Sequence, residues 1–174
     1  WVGGCWGKGP VQAAGAGGYA YANMLKIAYP AMKAANPNIV VAIGGLSYEA
    51  WLPDDGPYDP NFLDDILAAG GGAYFDVINF HFYEAFTYRW GSVAGKGRAI
   101  QDKVRAAIGV TKPLMVTELG TPSTKPAGSP DPNVYSEEAQ ARFVIKGLTQ
   151  AVSAGIYPAI WFQDQDRPTS SGGY

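Results

Sequence analysis

A single cysteine, Cys5, in 174 residues excludes an internal disulfide framework and any cysteine-cluster metal site. It leaves compartment open, since secreted enzymes of this size often need no disulfide. No run approaches the roughly 18 apolar residues that a membrane-spanning helix needs, and no signal peptide is visible. Charge is scarce too. With 13 basic and 15 acidic residues, a net charge of -2 and no Lys/Arg run, the chain lacks the electrostatic footprint of a nucleic-acid binder or a polybasic membrane anchor. Neutral partners remain.

What is present suits a globular α/β protein. A hydrophobic share of 47% against 16% charged is enough for one sizeable core. Five Trp and eleven Tyr suit stacking on flat apolar faces, although large cores use the same residues. The chain begins at Trp1 rather than Met and ends in Ser-Ser-Gly-Gly-Tyr, so it reads as a fragment of a longer protein.

Residues 1–18, rich in Gly, read as a loop, and 19–174 as helix–strand repeats of one domain. From Tyr19 a helical stripe of Leu25, Ala28, Met32 and Ala35 runs to Asn36-Pro37, and Ile39 to Ile43 follows as a buried strand closed by Gly44-Gly45. Asp59-Pro60 opens a helix through Leu63, Ile66 and Leu67 that stops at Gly70-Gly71-Gly72, before a strand from Phe75 to Tyr83. Ile100, Val104, Ala107 and Ile108 mark a third helix, and Lys112 begins the third strand. Ser136 caps a fourth helix with stripe Ala141, Ile145, Leu148 and Val152, and Tyr157 to Phe162 is the fourth strand. Such alternation predicts a parallel sheet with right-handed crossovers: an open doubly wound sheet or part of a (β/α)₈ TIM barrel, which four strands cannot close.

Strand parity sorts the side chains. Ile78, Phe80 and Phe82 fall on one face and Asn79, His81 and Tyr83 on the other, a pattern that suits a barrel strand with hydrophobes toward helices and polar groups inside. Strict alternation groups Glu118 with Leu114 and Val116, opposite Met115 and Thr117, and groups Trp161 with Ala159, opposite Ile160 and Phe162. Asn79, His81, Tyr83, Glu118 and Trp161 all sit at C-terminal strand ends, where α/β enzymes build their sites. Glu118 in a dry strand end needs donors, which His81 and Tyr83 supply if strand order follows sequence order. An ionised Glu beside a Trp platform suits attack on a sugar's anomeric carbon. Taken singly, each has a plainer role: a loop carboxylate, a structural histidine, rim aromatics. Their convergence is the signal.

The segments 36–45 (NPNIVVAIGG), 74–83 (YFDVINFHFY) and 112–120 (KPLMVTELG), with the strand containing Trp161, resemble the second half of clan A glycoside hydrolases. The nearest likeness is to the cellulase-like and β-xylosidase/iduronidase-like retaining families. The resemblance implies the fifth to eighth strands of a TIM barrel, with Glu118 as nucleophile on the seventh and His81 and Tyr83 as the polar pair on the sixth. It implies Trp161 as sugar platform on the eighth; Asn79, on the same face as His81 and Tyr83 by parity, is expected as a further substrate contact. It implies a β-linked polysaccharide or oligosaccharide as substrate, no cofactor, and a missing N-terminal half of the barrel as partner. A secreted or periplasmic location is expected.

The departure is the acid/base. The family places a Glu after Asn at the end of the fourth strand, and this chain has no Asn-Glu dipeptide; residues 1–10 look like the loop just beyond it. Glu49 and Glu84 are substitutes within the chain, neither at the family position. The parent is expected to be an enzyme and this chain alone to be inactive. The rivals are a carbohydrate-binding pseudoenzyme and a flavodoxin-like domain with a phosphate on Gly44-Gly45, the latter lacking G-x-G-x-x-G or P-loop spacing. Asp54, Asp55 and Asp59 lack calcium-ligand spacing and read as a turn and a helix cap.

Overall fold

The computed structural model describes residues 16–47, 61–83, 91–125 and 135–163. Helix α1 (Ala16–Ala35) begins before the expected Tyr19. Gly18 lies so close to helix α2 (Phe62–Ala68) that a Cβ there would meet Asp65 Cβ at 2.5 Å. The N-cap of α2 is Asn61, and Asp59-Pro60 lies outside the described residues. A 3₁₀ turn (Gly71–Ala73) leads to strand β1 (Ile78–Tyr83). Helix α3 (Val93–Ile108), strand β2 (Leu114–Gly120), helix α4 (Glu137–Ser153) and strand β3 (Ile156–Trp161) complete the order. Ser92 Oγ accepts from the Gly95 amide at 2.9 Å and Ser136 Oγ from the Ala139 amide at 3.0 Å, so each long helix after β1 opens on a serine cap.

The sheet is parallel in the order β1-β2-β3. With no reversal of order, right-handed crossovers put successive helices on one face. A Cβ on Gly97 of α3 would touch Ile156, Leu114 and Phe80, and one on Gly147 of α4 would touch Leu119, so both helices cover the same side. There Ile78, Phe80, Phe82, Leu114, Val116, Leu119 and Ile156 pack with Val93, Val104, Phe143 and Ala151 as the buried core.

Two expectations need correction. Ile39 to Ile43 does not form a regular fourth strand. The segment makes two parallel bridges, Ala42 to Val77 and Leu46 to Phe80, so four steps along it match three along β1. The extra residue falls at Gly44-Gly45 and breaks the ladder, although Ile43 N–H still donates to Val77 O and Leu46 N–H to Asn79 O. The buried stripe of α4 is also differently phased. Phe143, Gly147 and Ala151 face the sheet, while Ile145 and Val152 are 72% and 66% exposed, because small residues let the helix approach where the apolar count alone misleads.

At the N-terminal edge of the sheet Asp76 ties α1 down. Tyr29 Oη donates to Asp76 Oδ1 at 2.7 Å, the Val41 amide to Oδ2 at 2.9 Å, and Lys33 Nζ lies 2.8 Å from Oδ2. Desolvation raises the Asp76 pKa, but Lys33, the Val41 amide and Tyr29 outweigh it and hold it at about 2.

Candidate active site

The polar face of β1 meets β2 at the C-terminal edge, opposite in direction to the Asp76 anchor. Phe80 pairs with Val116 but His81 pairs with Glu118, leaving Thr117 as one extra residue in β2. Such a bulge interrupts the alternation of side chains. Strict parity, which put Glu118 with Leu114 and Val116, is therefore overturned: Glu118 shares a face with Thr117 and the polar triple of β1. Leu119 then returns to the helix side and is fully buried.

Three contacts define the cluster. Tyr83 Oη donates to Glu118 Oε2 at 2.5 Å, and His81 Nδ1 lies 3.1 Å from the same oxygen. Thr117 Oγ1 donates to Asn79 Oδ1 at 2.9 Å. Asn79 is buried, whereas the Glu118 side chain is 33% exposed and His81 18%, so the carboxylate is reachable and its donors are sheltered behind it. Burial lowers the His81 pKa, against the upward pull of Glu118. A neutral imidazole with its proton on Nδ1 is thus the form that donates to the carboxylate.

His81 lies between the 42–46 segment and β2. Its Nε2 edge lies over Gly45, where a Cβ would stand 2.0 Å from Nε2, and its Nδ1 edge faces Glu118. Only glycine leaves room for the ring. The Gly44 amide donates to Tyr21 Oη at 2.9 Å. The two glycines considered as a phosphate cradle therefore lie against a phenol and an imidazole.

Trp161 does not join this cluster. It pairs with Leu119, and so lies on the helix face, with its ring 6.1 Å from that of the buried Phe143. The aromatic that meets the cluster is the next residue, Phe162, whose ring packs edge-on against Tyr83 at 6.1 Å. Gly120 permits this approach, since a Cβ there would stand 2.6 Å from Phe162 O. Sequence reasoning missed Phe162, Thr117 and Gly45. Parity already placed Phe162 opposite Trp161; the bulge at Thr117 had no signal in sequence.

Glu49, Trp51, Asp54, Asp55, Asp59, Glu84, Trp90 and Asp164 lie outside the described residues. Among the described residues no group of three His, Cys, Asp or Glu side chains could hold a metal ion, and no helix is long and apolar enough to cross a membrane.

No family model matches the chain, and no curated protein matches it. Solved structures do. A glycoside hydrolase family 17 β-1,3-glucanosyltransferase from Rhizomucor miehei superposes with a TM-score of 0.52 at 19% identity, over 89% of this chain and 50% of its own. A β-porphyranase of glycoside hydrolase family 86 from Bacteroides plebeius gives 0.55 at 20%, over 88% and 28%. An endo-1,4-β-mannanase from Rhizomucor miehei gives 0.51 at 18%, over 91% and 42%. The chain thus spans half or less of the length of these structures, and shares with part of each glycoside hydrolase its parallel α/β fold.

Proposed function

We propose that the chain is the C-terminal part of a (β/α)₈ barrel in a retaining glycoside hydrolase, and that Glu118 is its nucleophile toward a β-linked polysaccharide or oligosaccharide. The observation that carries the reading is the carboxylate itself: one oxygen of Glu118 takes both the Tyr83 phenol and the His81 imidazole, at the C-terminal edge of a parallel sheet. Two donors on Oε2 orient the carboxylate and leave Oε1 to attack an anomeric carbon. The leaving oxygen departs as the glycosyl–Glu118 ester forms, and water then cleaves that ester with net retention. Phe162 rather than Trp161 is the aromatic in position to stack on the sugar.

Retention needs a second carboxyl group about 5 to 5.5 Å from the first, to protonate the leaving oxygen and later deprotonate water. Among the described residues Glu118 is the only carboxylate on a strand; because the chain has no Asn-Glu dipeptide, this reading assigns the acid/base to another part of the full-length protein rather than to Glu49 or Glu84. The partial coverage of the structural relatives supports the same division.

The test is mechanism-based trapping. A 2-fluoro glycoside incubated with the full-length protein is expected to add one glycosyl mass to the peptide carrying Glu118, and Glu118→Gln is expected to lower kcat by roughly 10³-fold or more. Sugar binding without turnover or label would replace this reading with that of a carbohydrate-binding pseudoenzyme.

A further inference from the structure

Lys96 lies in the first turn of α3, yet it is only 2% exposed, between helix and sheet, with Nζ 5.8 Å from the centre of the Phe80 ring. Desolvation pulls its pKa well below the usual lysine value. An apolar side chain of similar length would fill the space without that penalty. What lysine adds is a donor. Its Nζ donates to the backbone carbonyl of His81 at 2.7 Å. The His81 amide donates to Leu46 O at 3.0 Å, so this one residue is gripped at both backbone groups. The register of β1 against β2 shifts just before it, between Phe80 and His81.

We propose that Lys96 is a positioning residue of the site: by holding the His81 carbonyl at the bulge, it fixes the backbone from which the imidazole reaches Glu118. The anchor acts from the helix side of the sheet, beneath the carboxylate, and touches no substrate. It rests on the glycosidase reading for its effect on rate, and on geometry alone for its effect on His81.

The two are separable by experiment. The chain has one histidine, so ring nitrogen-15 shifts report the His81–Glu118 contact directly, and in the full-length protein the signal is identified by its loss in His81→Asn. Lys96→Met is expected to fold, to shift the Nδ1 resonance toward that of an unbonded imidazole, and to lower kcat roughly tenfold or more with KM nearly unchanged. Ile100→Ala, which loosens the same helix without removing the donor, is expected to leave the resonance in place. A folded Lys96→Met with wild-type His81 shifts overturns the proposal, as does an equal shift in Ile100→Ala. Should Lys96→Met fail to fold, Lys96→Gln, which keeps a donor near the carbonyl, decides: a wild-type His81 signal supports the anchor and a displaced one overturns it. If the wild-type protein shows no glycosidase activity, the glycosidase reading fails while the nitrogen-15 comparison still judges Lys96.

Discussion

Gly45→Ala adds one methyl group at the point where the His81 ring lies between the 42–46 segment and β2. Backbone terms favour the change. Gly45 does not adopt the left-handed conformation, so alanine there would stabilise by about 0.4 to 1 kcal/mol through the unfolded chain. Packing opposes it. The new Cβ would stand 2.0 Å from His81 Nε2, 2.5 Å from Cδ2 and 2.8 Å from Cε1, against 3.4 Å for ordinary contact. The ring must therefore retreat by about 1.4 Å, and Glu118 already stands 3.1 Å from its other nitrogen. Pushed on one edge and met on the other, the ring can only swing out of line. Overpacking costs about 1 to 3 kcal/mol and the lost bond to a carboxylate about 1.5 kcal/mol more. Contact thus outweighs backbone, for a net loss of about 2 to 4 kcal/mol, or roughly 5 to 15 °C in melting midpoint. Calorimetry of the full-length protein gives the midpoint, and the His81 nitrogen-15 signal gives the contact. An unchanged or raised midpoint with wild-type His81 shifts would refute the reasoning.

Other expectations follow from the same geometry. Tyr83→Phe keeps the ring against Phe162 but removes a donor to Glu118, a bond of about 1.5 to 3 kcal/mol, so kcat/KM should fall by roughly 10- to 100-fold and the melting midpoint should fall with it. Trp161→Ala should act on stability, by about 2 kcal/mol for a partly buried ring against Phe143, whereas Phe162→Ala should weaken oligosaccharide binding; calorimetry and titration of both variants would expose a reversed pattern. Asp76 has a folded pKa below its unfolded one, so its stabilisation is complete above about pH 4 and is lost as pH falls through about 2. Asp76→Asn should cost about 1 kcal/mol near neutrality, discounted for partial solvation, and only a small remainder of that at pH 2; denaturant titrations at pH 6, 4 and 2 check that convergence.

The alternation of helix and strand was legible because each element announces itself locally. Ser136 caps α4 as its position before the apolar run predicts, and the Ile78, Phe80, Phe82 face of β1 is buried as parity requires. Local signals failed where a neighbour decides. The stripe of α4 was misphased because Gly147 and Ala151 carry little hydrophobic weight, yet the sheet selects them for close approach. Trp161 looked like the platform because it ends its strand and matches the sugar platform that the resemblance puts on the eighth strand. Pairing with Leu119 turned it to the helices and left Phe162 beside Tyr83.

Glu118 shows the division most clearly. The sequence by itself determined that a carboxylate ends an apolar strand, that His81 and Tyr83 end the strand before it, and that the strands run parallel, because periodicity and turn residues act over a few neighbours. Whether those groups meet depended on one extra residue in β2, with Gly45 and Lys96 flanking His81 from opposite directions. A bulge is a property of two strands in register, and register is set by packing between segments distant in the chain. Only the tertiary structure could turn Glu118 toward His81 and Tyr83.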